Sequence, residues 1–441
     1  MPRLRLLLAP IIFALAVMPA QTVDAQAASP DVDYVLELAT GENPEVHADW
    51  LLTKLGVSSG DREDRIVYTY QYAINGVWLR LTEAEADEAD GITREGVVNG
   101  QRAFDVSIPV TPHVIEGAPY DGPQVVPTGY LRVGAEPEPG DLYSDVDIAV
   151  VDTGVDSFHD DLNVVGGFDC TFEGLTGRRP TDSWRNDNYG HGTHVAGIAA
   201  AIDNDRGVIG PAAGARIYSI PVLGDDGSGS MASVACGIDQ VAKLSEVVDV
   251  ANLSLGGENE ASVCNSWDSL HNAFCNTVEM GVTFVVSAGN SATDAINSSP
   301  ANYPEAVTTS ALADYDGLPG GLTAELPAHN GAGLDDQLAS FSNFGSLVDF
   351  TAPGVAIYSL LPDNTAGYAS GTSMAAPQVT GVIAAWIALY PRDRIHAVEA
   401  VLAWSSLHGW DVRSGWDGDV GPDHEPLVRF GAPAWEPEEE S

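Results

Sequence analysis

Four stretches of this chain restrict its fold more than any other feature: Ile148-Ala-Val-Val-Asp, Arg216-Ile-Tyr-Ser-Ile-Pro-Val, Val247-Val-Asp-Val-Ala-Asn-Leu-Ser-Leu and Val282-Thr-Phe-Val-Val-Ser-Ala. Each is a near-continuous apolar run that ends in polar residues or glycine, as a strand buried on both faces requires. Helical stretches lie between them, at His194–Ile202, Ser230–Leu244 and Trp267–Met280. This alternation predicts an α/β domain with a doubly wound, mainly parallel sheet. Reactive groups in such a domain gather at the carboxyl ends of its strands.

The chain of 441 residues has room for this domain and a smaller one. Residues 1–27 read as a signal peptide: Arg3 and Arg5 precede the apolar Leu6 to Val17, and Ala25-Gln26-Ala27 offers a small-x-small cleavage site. The mature chain is therefore expected to be secreted. No later segment is expected to be long and apolar enough to span a membrane. Residues 28–120 form a small α+β unit and its linker. Strand patterns occur at Tyr34-Val-Leu-Glu-Leu, Ile66-Val-Tyr-Thr-Tyr and Val77-Trp-Leu-Arg-Leu, helix patterns at His47–Leu55 and Thr82–Glu88, and the Pro/Gly-rich Gly117–Pro123 follows. The large domain covers 121–432, and an acidic tail occupies 433–441.

Acidic residues number 63 against 19 basic ones, for a net charge of −44. That surface excludes nucleic acid and anionic membranes as partners. Its self-repulsion is screened by salt, so a saline working environment is one reading and solubility alone the other. Export permits disulfides. Of the three pairings open to four cysteines, Cys264 with Cys275 is expected because they bracket one short segment, leaving Cys170 with Cys236.

Four unlike polar residues fall at the ends of elements that would share one rim. Asp152 closes a strand, His191 opens a helix, Asn290 follows a strand, and Ser373 opens another helix in Ser370-Gly-Thr-Ser-Met-Ala-Ala-Pro-Gln. Pro377 is read as lying in that helix's first turn, where a missing N–H costs nothing. Any one of the four alone is most often a cap or turn residue. Acyl transfer needs the set together. A serine hydroxyl becomes nucleophilic when a histidine takes its proton, a carboxylate fixes that histidine's tautomer, and amide donors hold the oxyanion. Asp152, His191 and Ser373 would be orienter, base and nucleophile, with the Asn290 side chain and the Ser373 N–H as oxyanion donors. A metal pair at His191 and His194 lacks a third ligand in register.

The blocks Ala149-Val-Val-Asp-Thr-Gly-Val-Asp, His191-Gly-Thr-His-Val-Ala-Gly, Ser254-Leu-Gly-Gly, Ser287-Ala-Gly-Asn and Gly371-Thr-Ser-Met-Ala-Ala-Pro occur in this order. From about Gln124 to Leu402 the chain thereby resembles the subtilisin-like serine proteases, the subtilases. The resemblance implies a secreted serine endopeptidase acting on protein or peptide substrates, expected as a monomer, with the roles given above. It implies that substrate lies as an extended strand between Ser254-Leu255-Gly256 and Gly227-Ser228-Gly229, with Ser287, Ala288 and Gly289 lining the pocket before the scissile bond. It further implies a structural Ca²⁺ held by Gln124, Asp161 and Asn204 and by the carbonyls of Ile202, Arg206 and Val208, an all-oxygen set suited to a hard cation. The small N-terminal unit is similar to the family's inhibitory propeptide and would occupy the cleft of a zymogen until cleaved between about Ile115 and Gly122. Two other readings share the scaffold. One is a non-catalytic binding protein, against which the intact four residues argue. The other is a peptide ligase or cyclase, which keeps the acyl-enzyme but excludes water.

Overall fold

The computed structural model describes residues 32–108, 118–119, 123–135, 143, 145–319, 321, 332–391, 396–408 and 425–430. The signal peptide, the acidic tail and most of the 115–122 window lie outside these residues.

The N-terminal unit runs β1 (Val32–Leu38), α1 (Pro44–Lys54), β2 (Ile66–Tyr70), β3 (Gly76–Leu81), α2 (Glu83–Ala89), β4 (Val97–Arg102) and β5 (Asp105–Ser107). β1 to β4 form an antiparallel sheet in the order β2-β3-β1-β4. Period-2 alternation splits its side chains between two interiors. Tyr34, Leu36, Val77 and Leu79 pack with Leu51 and Leu52 of α1. Val35 and Trp78 point the other way and join the core of the large domain. α2 begins at Thr82 with a reciprocal capping box to Glu85.

The large domain continues with β6 (Ala118–Pro119), α3 (Thr128–Arg132), β7 (Asp147–Asp152), β8 (Val164–Gly167), α4 (Phe172–Leu175), α5 (His191–Ala200), β9 (Arg216–Pro221), β10 (Ser228–Ser230), α6 (Met231–Lys243), β11 (Val250–Leu253), β12 (Gly257–Glu258), α7 (Ser269–Glu279), β13 (Thr283–Ser287), β14 (Ser298–Ser299), β15 (Val307–Ala313), β16 (Gln337–Leu338), β17 (Phe350–Pro353), β18 (Ile357–Leu361), β19 (Thr365–Ala369), α8 (Thr372–Leu389) and α9 (Ala397–His408). The central sheet has the order β16-β15-β13-β11-β7-β9-β8, with β17 also paired to β15. Every pairing in it is parallel except β15 with β16. Ile148 and Val150 of β7 pack on the face of α5 and α8, while Ala149 and Val151 pack on the face of α6 and α7. The apolar runs thus reflect two covered faces, as the doubly wound expectation holds. Both disulfides form as anticipated, Cys170–Cys236 and Cys264–Cys275.

Three local expectations are corrected. The strand read over Val247–Leu255 is shorter, because the Val247 and Val248 amides close a turn on the Leu244 carbonyl. α8 is long and apolar enough to cross a membrane by length and composition, but 89% of it is buried inside the protein. Pro377 lies inside α8, which starts five residues earlier at Thr372. Proline removes the donor that would bond the carbonyl four residues back. That carbonyl belongs to Ser373, and Ser254 Oγ donates to it instead at 2.9 Å. A side chain from the end of β11 therefore replaces the missing helix bond.

Candidate active site

Asp152 ends β7 with its carboxylate fully buried. Its Oδ1 accepts from the Thr153 N–H at 2.7 Å and pairs with His191 Nδ1 at 2.7 Å. This second bond places the ring proton on Nδ1 and leaves Nε2 as the acceptor. His191 Nε2 is buried and has no hydrogen-bond partner among the described residues. His191 opens α5 after Gly190, whose φ of 97° lies in the left-handed region that glycine enters without strain. Gly192 follows because a Cβ there would collide with the Gly154 carbonyl, so only glycine lets α5 approach the β7 loop.

Ser373 is the second residue of α8, where first-turn amides have no intrahelical acceptor. Its Oγ donates to the Ser254 carbonyl at 3.1 Å, so the hydroxyl is hydrogen-bonded to the β11 exit rather than to His191. Asn290 Oδ1 accepts from both the N–H and the Oγ1 of Thr372, each at 2.9 Å. The carboxamide is thereby oriented with its NH2 end turned away from Thr372. His194 is buried with its Nε2 facing the Gly367 carbonyl at 3.2 Å, and burial lowers its pKa to about 3.

Sequence reasoning missed Asp187. This buried carboxylate accepts from the Gly190 and Thr193 amides and from the Thr153 and Thr193 hydroxyls, tying the loop after Asp152 to the first turn of α5. Burial pushes its pKa up against those bonds. Its position three residues before Gly190 was the only available sequence signal, and an aspartate there reads equally as a turn residue.

Between the two segments expected to hold substrate lies a strand of the same chain. β5 pairs antiparallel with β10, aligning Ser107 with Ser228 and Val106 with Gly229. On its other edge, Ser107 exchanges both backbone bonds with Gly256, at 3.0 and 3.1 Å, and the Ile108 N–H bonds the Gly227 carbonyl at 3.1 Å. Leu255 is fully buried beside this strand and packs in the same apolar cluster as Val106. Ser287 and Ala288 are buried where β13 ends, and Asn343 Nδ2 bonds the Ala288 carbonyl at 2.8 Å. Gly289, at φ 103°, leaves room for the Asn343 amide.

The residues expected to hold a cation are joined by hydrogen bonds. Gln124 Nε2 donates to the carbonyls of Ile202 and Val208 at 2.9 and 3.0 Å, and Asn204 Nδ2 donates to Asp161 Oδ1 at 2.8 Å. Asp161 Oδ2 accepts from the Val208 N–H, while desolvation raises the Asp161 pKa to about 7. Five oxygen-bearing groups are thus joined in one hydrogen-bonded cluster, in which the two amide NH2 groups take up oxygens that a cation would use. Turning both amides over presents an all-oxygen set, so the residues fit a hard ion. Arg206 enters this network by its N–H, which bonds Asn204 Oδ1 at 3.1 Å.

A second group of residues was also unforeseen. Asp239 of α6 accepts from the Gln71, Tyr72 and Ala73 amides and from Tyr68 Oη, all in the N-terminal unit.

Residues 144–431 match the model of the Subtilase family. Subtilisin NAT of Bacillus subtilis subsp. natto is 34% identical over 298 residues, covering 65% of this chain and 69% of its own. Subtilisin Savinase of Lederbergia lenta is 34% identical over 295 residues, covering 65% of this chain and 96% of its own. Among solved structures, a cold adapted subtilisin-like serine proteinase is 28% identical, with a TM-score of 0.53 over 69% of this chain and 98% of that one.

Proposed function

This chain belongs to the subtilase family and is a serine-type endopeptidase acting on protein or peptide substrates, and from that premise we propose that it is a secreted zymogen whose catalytic groups are Ser373, His191, Asp152 and Asn290. The observation that carries the catalytic assignment is the 2.7 Å bond between Asp152 and His191 Nδ1, which leaves Nε2 as a buried acceptor without a partner among the described residues.

In the proposed reaction Ser373 gives its proton to His191 Nε2 instead of the Ser254 carbonyl, and Oγ attacks the carbon of the scissile amide. Asp152 stabilises the imidazolium that forms. Negative charge on the tetrahedral oxygen is met by the Asn290 NH2 and the Ser373 N–H, helped by the α8 N-terminus. His191 then protonates the leaving amine, and water repeats the sequence on the acyl-enzyme. Substrate backbone pairs with Ser228-Gly229 on one edge and Gly256 on the other, the pairing now made by β5. Such pairing binds peptides of many sequences. Ser287, Ala288 and Gly289 border the pocket for the residue before the cut.

The same β5 pairing supports reading the N-terminal unit as an inhibitory propeptide, since no second peptide fits between β10 and Gly256 while β5 is there. Ca²⁺ is assigned to Gln124, Asp161, Asn204 and the Ile202, Arg206 and Val208 carbonyls. When bound, it would tie the β7–β8 connection at Asp161 and the α5–β9 loop to the chain at Gln124.

The test expresses the full chain beside Ser373→Ala. The parent, once processed, reacts with an irreversible serine-directed probe, and N-terminal sequencing locates the cut. Absence of labelling in the processed parent, or equal labelling of Ser373→Ala, overturns the catalytic assignment.

A further inference from the structure

The Cys264–Cys275 disulfide is surrounded by groups that a simple covalent brace does not need. One donor atom from each of Cys264, His271, Cys275 and Glu305 lies within 4.8 Å of every other. Cys264 Sγ is 3.0 Å from Glu305 Oε1, and His271 Nε2 is 2.8 Å from Glu305 Oε2.

The imidazole is held as a ligand would be. Its ring is fully buried and stacks on Tyr303 with centroids 3.9 Å apart. His271 Nδ1 meets Ser262 Oγ at 2.7 Å, and the same hydroxyl donates to Asp268 Oδ2 at 3.0 Å. Asp268 caps α7 through its other oxygen, accepting from the Leu270 and His271 amides. With Ser262's only proton directed to Asp268, His271 donates from Nδ1, and Nε2, which faces Glu305 and the sulfurs, shares with Glu305 Oε2 a proton that a bound metal would replace. A carboxylate–hydroxyl chain behind the distal ring nitrogen is the arrangement that orients metal-bound histidines.

We propose that reduction of the Cys264–Cys275 disulfide opens a four-coordinate site for a zinc-class divalent ion, held by both thiolates, His271 Nε2 and a Glu305 oxygen. Two sulfurs, one imidazole and one carboxylate suit a borderline-soft tetrahedral ion. A dithiol reductant attacks Cys264 Sγ, the half-buried sulfur, and Cys275 leaves as thiolate. The reductant's second thiol then displaces Cys264, leaving the reductant as a cyclic disulfide and the protein two electrons richer. Metal binding expels the two thiol protons, as both sulfurs become thiolates, and the proton shared by His271 Nε2 and Glu305. Disulfide and metal are thus mutually exclusive fastenings of the same segment, which lies just beyond the cleft strand β12.

Cys170 and Cys236, both fully buried, belong to no such donor group among the described residues. The inference is independent of the catalytic reading and is tested on full-length Ser373→Ala, which prevents self-digestion. The protein is reduced with a dithiol, desalted anaerobically and titrated with Co²⁺, then Zn²⁺. One cobalt per reduced chain is expected, with an intense thiolate-to-cobalt band that Zn²⁺ erases, and none on the oxidised chain. The band persists when Cys170 and Cys236 are both replaced by alanine. His271→Gln and Glu305→Gln each weaken binding at least about tenfold. The proposal is overturned if the reduced chain binds no cobalt, or if both variants bind as tightly as the parent. It is equally overturned if the reduced chain loses its near-ultraviolet circular dichroism and Zn²⁺ does not restore it.

Discussion

Replacing Asp239 with alanine is predicted to loosen the N-terminal unit from the large domain without touching the cleft. The carboxylate is fully buried and accepts from the Tyr72 and Ala73 amides at 2.6 and 2.8 Å, from the Gln71 amide at 3.1 Å and from Tyr68 Oη at 2.9 Å. Removing one partner of a buried, charge-assisted hydrogen-bonded group costs about 2–5 kcal/mol, because the donors left behind lose their acceptor. Only the three amides and the phenol of the N-terminal unit gain that acceptor on docking, so the full loss falls on association. The expected rise in dissociation constant is about 30-fold to about 5,000-fold. Asp239→Asn falls between parent and alanine, since one oxygen still accepts while the NH2 faces the phenol. The assay follows inhibition of peptide hydrolysis by the separately added N-terminal segment, with circular dichroism checking α6. A shift under threefold in Asp239→Ala with an intact fold refutes the reasoning, leaving apolar burial around Trp78 and Val106 to carry the contact.

Four further predictions follow from the geometry. Because the cation-free Asp161 carboxyl titrates near 7, Ca²⁺ must displace a proton below that value; affinity measured by calorimetry is expected to be about tenfold weaker at pH 6 than at pH 8, and equal affinities contradict the assignment. His194 is neutral in the folded state down to about pH 3, whereas the unfolded chain protonates it below its ordinary 6.5. The folded state therefore loses stability as pH falls, and relative to His194→Gln the parent should lose about 1.6 kcal/mol between pH 6.5 and 5 in urea unfolding; parallel pH profiles refute this. Ser254→Ala strips the substitute donor from the Ser373 carbonyl and should cost about 1–3 kcal/mol, with part of the loss recovered when Pro377→Ala restores an amide to α8. With a net charge of −44, the thermal midpoint should rise between 0.1 and 1 M NaCl by screening, and indifference to salt removes the saline reading.

What the sequence disclosed follows the range of the forces involved. Burial of β7 and β13 on both faces writes itself into consecutive residues, so the parallel sheet was readable from runs such as Ile148-Ala-Val-Val. Element ends were readable to within a residue or two where a cap marks them, as at Thr82 and Ser230. Pro377 misled because its cost in a helix interior depends on what sits beside it, and Ser254 is 119 residues from the carbonyl it satisfies. Asp239 and Asp187 were invisible for the same reason. A carboxylate that accepts several amides looks, in one dimension, like any solvated acid. The segment Asp105–Ser107 was likewise not singled out, although it is what fills the groove between Ser228 and Gly256.

The two-faced packing of the small sheet has a consequence for its fate. Val35, Tyr70, Trp78 and Val106 are counted in the same continuous interior as α6 and α7. Departure of residues 32–108 would bare a hydrocarbon face on each fragment, at about 1.5–3 kcal/mol for each large side chain wetted. The larger fragment keeps its second layer of helices. The smaller one is left a sheet with one side stripped, so that its return to the larger fragment competes with its own digestion.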